Sequence, residues 1–159
     1  MPSPSAWLKW LLLSSAVIAL DQFTKAALLS ALRLGESLTL TPFFDLVLVF
    51  NRGAAFSFLS NAGGWQRWFF IVLALAISAW IVAMLTRHAG EKLFSVALSL
   101  VLGGALGNVI DRFNHGAVVD FLSFHIADHY WPAFNVADSA ISVGVVLMLW
   151  EQLRPGKAK

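Results

Sequence analysis

The chain has 159 residues, of which 58% are hydrophobic and 13% charged, with a mean hydropathy of +0.74 and a formal net charge of +2. Soluble domains usually carry about 25% charged residues, so this composition excludes a soluble domain and indicates an integral membrane protein. The scattered basic residues do not form a nucleic-acid-binding patch. Since the chain has no cysteine, disulfides, thiolate metal sites and a cysteine nucleophile are excluded.

The first predicted element is an uncleaved spanning helix over about residues 6–32. Residues 6–20 are apolar apart from one lysine, but at about 1.5 Å per residue they do not cross a hydrocarbon core of about 30 Å. No small-x-small cleavage site follows, which disfavours a signal peptide, and the helical pattern continues through Asp21 and Lys25. Asp21 precedes Lys25 by four residues, and an acidic residue four positions before a basic one is the order that favours a helical ion pair. They either neutralise each other near the membrane surface or support an active site.

Residues 33–67 are predicted to form an external loop. Two short runs in it, Ser37 to Leu40 and Phe44 to Phe50, have the residue types of strands and are bounded by turn signals, so we expect a small extramembrane sheet. Asn51 follows directly and offers amide donors and acceptors for a site. An ordinary strand-ending turn is the alternative interpretation.

The second and third spans are predicted over residues 68–85 and 93–110, antiparallel because only a tight polar turn joins them. Asn108 and Arg112 are four apart and share a face at the end of the third helix, where a cation is also favourable for the helix dipole. Small residues recur every four positions along this span, which predicts close packing against a neighbouring helix: Ser95, Ser99, Gly103 and Gly107.

Residues 111–133 are predicted to form a second external loop of irregular structure, which carries Asp120. The loop also contains His125 and His129, a spacing that suggests a metal site. However, the glutamate of the His-Glu-x-x-His pattern is missing, so we predict no metal.

The fourth span is predicted over residues 134–150. Asn135, Asp138 and Ser142 fall on one polar face of this otherwise apolar helix. Asn135 is also a good helix N-cap and Asp138 is favoured in a first turn, so capping alone is the alternative interpretation.

The distribution of basic residues predicts the orientation. They are denser on the side that holds both termini, which predicts that this side is cytoplasmic and that both aspartates lie near the outer face. The residues on that side are Lys9, Arg87, Lys92, Arg154, Lys157 and Lys159, against Arg33, Arg52, Arg67 and Arg112 beside the longer connections.

Asp120 and Asp138 are the candidate catalytic residues. Two adjacent carboxylates cannot easily both ionise, so one can act as a base on water while the other, protonated, polarises a carbonyl group. Such a pair needs no metal or other cofactor. The hydrogen-bonding groups around it would be Asn51, Asn108, Asn135 and Arg112. Eighteen residues of separation permit the two aspartates to meet, but the sequence pattern does not require it.

Five ordered blocks give the chain a resemblance to bacterial lipoprotein signal peptidase, also called signal peptidase II. They are Asp-Gln-Phe-Thr-Lys (21–25), Asn-Arg-Gly-Ala-Ala-Phe (51–56), Gly-Gly-Ala-Leu-Gly-Asn-Val-Ile-Asp-Arg (103–112), Val-Val-Asp-Phe (118–121) and Phe-Asn-Val-Ala-Asp-Ser (134–139). The resemblance spans nearly the whole chain, which we interpret as a single integral membrane domain over residues 1–159.

The resemblance implies a four-helix membrane aspartyl endopeptidase of the inner membrane with a small external β-sheet. Its substrates would be diacylglyceryl-modified prolipoproteins, cut on the amino side of the lipidated cysteine, and its other partners membrane lipids rather than nucleic acid. It implies Asp120 and Asp138 as the catalytic residues and a supporting role for Asp21 and Lys25. It also implies a site lined by Asn51, Gly104, Asn108, Arg112, Asn135 and Ala137.

Two other functional classes compete with this interpretation. A small ion- or proton-coupled carrier would use Asp21, Lys25 and Asp138 as relay groups. It is disfavoured because the second span carries no charge and the polar residues collect towards one face. A serine protease with Ser57 and Lys25 is disfavoured because nothing in the sequence brings those two together.

Overall fold

The computed structural model describes residues 6–53, 59–60 and 62–154, and in this part the chain forms four helices and four strands. Each helix is long and apolar enough to cross a membrane. The predicted fold of four spanning helices with a small β-sheet is confirmed. In chain order the elements are α1 (Leu8–Ala31), β1 (Ser37–Thr41), β2 (Phe44–Asn51), α2 (Gln66–His88), α3 (Lys92–His115), β3 (Val118–Ile126), β4 (His129–Tyr130) and α4 (Val136–Leu153).

Helix α3 is the centre of the bundle, and α1, α2 and α4 all pack against it. In its most apolar stretch 61% of the residues are buried, against 17% in α1 and 11% in α4. The outer helices instead expose large apolar side chains such as Phe23 and Val72. A helix that is apolar on its outward face suits a lipid environment, so α3 is shielded and the other three face the bilayer.

The small residues of α3 allow its neighbours to approach closely. A Cβ atom added at Gly103 would lie 2.7 Å from the carbonyl oxygen of Ser14 on α1, and one added at Gly107 would lie 2.6 Å from an Asp21 oxygen. The packing role predicted for this row of residues is therefore confirmed. Gly104 makes the same kind of contact with α4, through the carbonyl oxygen of Ala137.

The strands form one antiparallel sheet in the order β1-β2-β3-β4. The two predicted strands are confirmed as β1 and β2. The prediction that an irregular loop carries Asp120 was wrong, because this residue lies on β3, opposite Val49 of β2. Its neighbours Val119 and Phe121 are apolar and buried, at 0% and 3% exposure. Burial of such side chains favours a strand here, and β3 pairs with β2. Helix α3 also continues beyond its predicted end and stops at Gly116, whose φ of 74° ends the helix.

A short bridge fixes the start of α4 beside β3. The backbone N–H groups of Phe121 and Leu122 donate to the carbonyl oxygen of Phe134 at 3.0 and 2.8 Å, and the N–H of Phe134 donates to that of Leu122 at 3.0 Å. Since Asp120 precedes this bridge and Asn135 follows it, the bridge brings the two chain segments of the candidate site together.

Candidate active site

Asp120 is almost fully buried on β3, with 2% of the residue exposed. Its two carboxylate oxygens accept hydrogen bonds from side-chain amides. Asn135 Nδ2 donates to Oδ1 at 2.7 Å, and Asn51 Nδ2 donates to Oδ2 at 3.2 Å. Both donors are neutral, so the charge of Asp120 is solvated by amides without a direct cationic partner in the described residues.

Asp138 lies in the first turn of α4 and is half-buried. Asn108 of α3 donates to its Oδ1 at 2.7 Å, and its own backbone N–H donates to Asn135 Oδ1 at 2.8 Å. Asn135 is therefore the N-cap of α4, as one interpretation of the sequence held, and the same side chain also bonds Asp120. Capping and site assembly are thus performed by one residue.

The two aspartates, which we call the aspartate pair, are joined through amides. Asn135 contacts both of them, and its Nδ2 is also 3.3 Å from Asn108 Oδ1. Burial raises the pKa of Asp120 to about 7, and the nearby charge of Asp138 adds to this rise, while the two amide donors and the more distant Lys25 oppose it. A carboxyl group with such a pKa can gain or lose a proton near neutral pH, as general acid–base chemistry requires.

A cavity of about 660 Å³ opens beside the aspartate pair, between α2, α3 and α4. Its polar end is lined by Asn51, Asn108, Arg112 and Asp138. The remainder is largely apolar, with Phe70, Leu73, Ile77, Ile141 and Val143 among the lining residues. A site of this volume with one polar end suits a largely apolar ligand whose reacting group is polar.

Arg112 connects the cavity to the end of β2. Its Nη2 donates to the carbonyl oxygen of Gly53 at 2.8 Å, and its guanidinium lies 5.1 Å from the ring centre of Phe70. Only 8% of the residue is exposed. Its geometry fixes a positive charge at the polar end of the cavity.

Gly104 and Ala137 lie behind the cavity, at the contact of α3 with α4. Ala137 is fully buried, and its backbone N–H donates to Asp21 Oδ1 at 2.9 Å. Both residues therefore set the distance between the helices that carry Asn108 and Asp138.

Asp21 and Lys25 form the predicted ion pair, with 2.8 Å between Lys25 Nζ and Asp21 Oδ2. The pair is buried inside the protein, and Lys25 Nζ also lies 2.7 Å from Asp111 Oδ2. We call Asp21, Lys25 and Asp111 the lysine cluster. The same ammonium group donates to Asn108 Oδ1 at 3.1 Å, which orients the Asn108 amide so that its nitrogen faces Asp138.

Sequence reasoning quoted Asp111 in a motif but gave it no role. It accepts hydrogen bonds from Gln22 at 2.9 Å and from the backbone N–H of Val119 at 3.0 Å, so it joins α3 to α1 and β3. The four-residue spacing of the small residues on α3, continued by one step from Gly107, reaches Asp111. That row faces α1, so the signal was present in the sequence.

The remaining candidates lie away from the site or outside the described residues. His125 Nε2 is 3.3 Å from Asp45 Oδ2 in the sheet, and no group of three or more potential metal ligands occurs in the described ranges. Ser57, residues 54–56 of the resembling motif, and Lys157 and Lys159 fall outside the residues that the structure describes.

Comparison with known proteins connects this geometry to a family. The family model described as "Signal peptidase (SPase) II" matches residues 13–154. The chain is 58% identical over 158 residues to the lipoprotein signal peptidase of Azoarcus sp. (strain BH72), covering 99% of this chain and 90% of the relative. It is 59% identical over 145 residues to the lipoprotein signal peptidase of Ralstonia nicotianae, covering 91% of this chain and 84% of the relative.

The fold is also similar to those of solved structures. A bacterial membrane enzyme structure obtained by the in meso method superposes with a TM-score of 0.82 at 33% identity, covering 95% of this chain and 93% of the other. A second such structure gives a TM-score of 0.80 at 33% identity, covering 92% and 94%.

Proposed function

The chain belongs to the signal peptidase II family of aspartic peptidases, and from this premise we propose that it removes signal peptides from diacylglyceryl-modified prolipoproteins. We propose that it cuts on the amino side of the lipid-bearing cysteine. The cavity beside the aspartate pair supports this substrate class, because its apolar walls suit acyl chains or an apolar signal helix while its polar end suits the peptide bond.

Asp120 and Asp138 are the catalytic residues of the proposed reaction. The observation that carries this assignment is their convergence on Asn135, with Asp138 lining the polar part of an otherwise apolar cavity. The pair shares one proton, because two neighbouring carboxylates ionise in coupled steps. The protonated partner donates a hydrogen bond to the scissile carbonyl oxygen, and the ionised partner removes a proton from water.

The reaction then follows in two steps. The water oxygen bonds to the carbonyl carbon as its proton passes to the ionised aspartate, and the carbonyl oxygen takes the proton of the other. When the tetrahedral intermediate collapses, the C–N bond breaks and the leaving amine receives a proton from the aspartate that had accepted one from water. At the same time one hydroxyl proton of the intermediate returns to the other aspartate as the carboxyl group forms. The products are a carboxyl and an amino group, and the pair again holds a single proton.

The surrounding polar residues position this chemistry. Asn51, Asn108 and Asn135 fix the carboxylates through the amide hydrogen bonds described above. Arg112 places a cation at the cavity wall, where it suits a peptide carbonyl or another electron-rich group of the substrate. Gly104, Ala137, Asp21 and Lys25 act through helix packing and charge neutralisation.

We infer that the chain is a single inner-membrane domain with both termini in the cytoplasm and the aspartate pair near the outer face. The support is the count of basic residues in the sequence, which is six in the terminal and middle segments (Lys9, Arg87, Lys92, Arg154, Lys157 and Lys159) against four beside the two longer connections. Because the chain has no cysteine, Gly90→Cys and Asp128→Cys variants give single labelling sites. In intact cells an impermeant thiol reagent is expected to label the second variant and not the first.

Cleavage assays test the substrate and the catalytic residues together. The purified protein is expected to cleave a diacylglyceryl-modified precursor and to leave the unmodified precursor intact. Asp120→Asn and Asp138→Asn proteins are expected to fold and to bind the modified precursor without cutting it. Asp128→Asn removes an exposed carboxylate of the same chain and serves as the matched control.

Two results would contradict the proposal. Equal cleavage of modified and unmodified precursors would remove the lipid requirement, and an active Asp138→Asn protein would remove the aspartate pair from the chemistry. The carrier interpretation has no support from the family assignment, since both relatives and the family model are peptidases by name.

A further inference from the structure

A second cavity, of about 540 Å³, lies where α2 begins and α3 ends, and shares no lining residue with the cavity at the aspartate pair. Three of the described residues around it can carry a positive charge, and none is acidic. We call it the cationic pocket, with Arg52, Ser60, Gly64, Arg67, His115 and Gly116 in its lining.

The wall of the cationic pocket is held by a buried glutamine. Gln66 is 2% exposed, its Nε2 donates to the carbonyl oxygen of Ser60 at 3.3 Å, and its Oε1 accepts from the backbone N–H of Gly64 at 2.7 Å. These contacts attach the preceding loop to the first turn of α2. The pocket is thus built by specific side-chain bonds.

Arg67 is fixed in a defined orientation at this pocket. Its Nη2 donates to the carbonyl oxygen of Phe113 at 3.1 Å, and its guanidinium lies 4.9 Å from the ring centre of Trp68. Its Nε is buried and has no hydrogen-bond partner among the described residues. A guanidinium that is already oriented loses little freedom when it binds a phosphate, which it can contact through two N–H groups.

The start of α2 adds to the positive potential. Its N-cap, Trp65, makes no side-chain capping bond, and the first turn contains no acidic residue. The free N–H groups and the dipole of a helix N-terminus favour an anion. The nearby arginines and this helix end therefore both attract an anion to the pocket.

Exposed aromatic residues place this region at the membrane–water interface. Trp65 and Trp68 are each 55% exposed and Phe113 is 50% exposed, and the rings of Trp68 and Phe113 meet edge to face at 6.1 Å. Exposed tryptophan beside a spanning helix is typical of the lipid headgroup level. The abundant phosphates at that level belong to phospholipids.

We propose that the cationic pocket binds the phosphate of a phospholipid headgroup. Arg52 and Arg67 contact the phosphate oxygens, while the acyl chains lie along the apolar outer face of α2. The bound lipid is not a substrate, because the pocket contains none of the residues of the aspartate pair. It holds one lipid molecule at the edge of the bundle.

Lipid binding to the purified protein in a neutral, phosphate-free detergent tests the proposal. Native mass spectrometry is used to compare phosphatidylglycerol with diacylglycerol of the same acyl chains. Since one charge-assisted hydrogen bond contributes about 1.5–3 kcal/mol, we expect at least about tenfold tighter binding of the phosphate-bearing lipid. The Arg52→Gln/Arg67→Gln protein is expected to lose this preference. Arg33→Gln, which removes an exposed arginine at the end of α1, is expected to retain it.

Two outcomes would overturn the proposal: an unchanged preference in the double variant, or inorganic phosphate that binds as tightly as the lipid and displaces it, which would assign the pocket to the free ion. Arg52 is exposed, so the Arg52→Gln and Arg52→Glu variants do not disturb the interior. They are expected to weaken phosphatidylglycerol binding in that order, even if the double variant fails to fold.

Discussion

The molecule holds two groups of carboxylates on either side of Asn108, and they are stabilised in different ways. In the lysine cluster, Asp21 and Asp111 share the ammonium group of Lys25 at 2.8 and 2.7 Å. In the aspartate pair, the side-chain donors that contact Asp120 and Asp138 in the described residues are asparagine amides.

The two groups of carboxylates therefore differ in role: the lysine cluster holds the elements together, and the aspartate pair can exchange a proton. Removing either partner of a buried ion pair leaves an uncompensated charge, so the lysine cluster joins α1, α3, β3 and α4 rigidly. Amides solvate a carboxylate without neutralising it, so a proton can enter and leave the aspartate pair. The two groups meet at Asn108, which accepts from Lys25 and donates to Asp138.

The largest expected effect is on catalysis. Asp138→Asn keeps a side-chain oxygen that can accept from Asn108 but cannot act as an acid or a base, so we expect cleavage to fall by about 1,000-fold or more with little change in unfolding temperature. The measurement is single-turnover cleavage of a lipid-modified precursor beside a thermal unfolding scan. A variant that unfolds early would mean that Asp138 holds the structure as the lysine cluster does.

The second effect is on stability. Lys25→Met leaves Asp21 and Asp111 buried without their cation, so we expect a loss of about 3–5 kcal/mol of unfolding free energy, measured by denaturant titration in detergent. Lys9→Met removes an exposed lysine from the same helix and is the matched control. Unchanged stability in Lys25→Met would end the contrast between the two groups.

The third effect is a dependence on pH. The pKa of Asp120 is raised by burial to about 7, above its unfolded value of about 3.9, so the folded state binds this proton more tightly. The contribution of this proton to the unfolding free energy is fully present below about pH 4 and is lost as the pH rises through 7. We expect the parent chain to lose about 2–4 kcal/mol more than Asp120→Asn between pH 4 and pH 8. Parallel stability curves for the two proteins would contradict this.

The smallest effect concerns helix distance. A methyl group at Gly107 would press on Asp21 Oδ2 of the lysine cluster, so Gly107→Ala is expected to lose about 1–3 kcal/mol. Gly90→Ala places the same group in open space and should leave the unfolding temperature nearly unchanged. Equal unfolding temperatures for the two variants would show that α1 yields at this contact.

The four helices and the first two strands could be predicted because their signals are local. Apolar length identifies a span, and β-branched and aromatic runs identify a strand. The same strand signal is present around Asp120, but the segment was predicted to be an irregular loop. Its pairing with β2 is a long-range contact that local patterns do not encode.

The site was predictable only in part. The resemblance assigned Asp120 and Asp138, and helix spacing grouped Asn135 with Asp138. Their meeting depends on the backbone bridge between Leu122 and Phe134, which joins residues twelve positions apart and has no signature in hydropathy. Asp111 is the third member of the lysine cluster, and its signal in the sequence is its position as the next step in the row that faces α1.

The bridge between Leu122 and Phe134 also bears on the order of events during synthesis. Asp120 is translated well before Asp138, and Asn135, which contacts both, lies beyond the bridge. A nascent chain whose last helix is still in the ribosome therefore lacks one of the two proposed catalytic aspartates. Under the proposed mechanism, proteolytic competence arises only once that helix has been delivered to the bilayer, so the unfinished polypeptide is unable to cut.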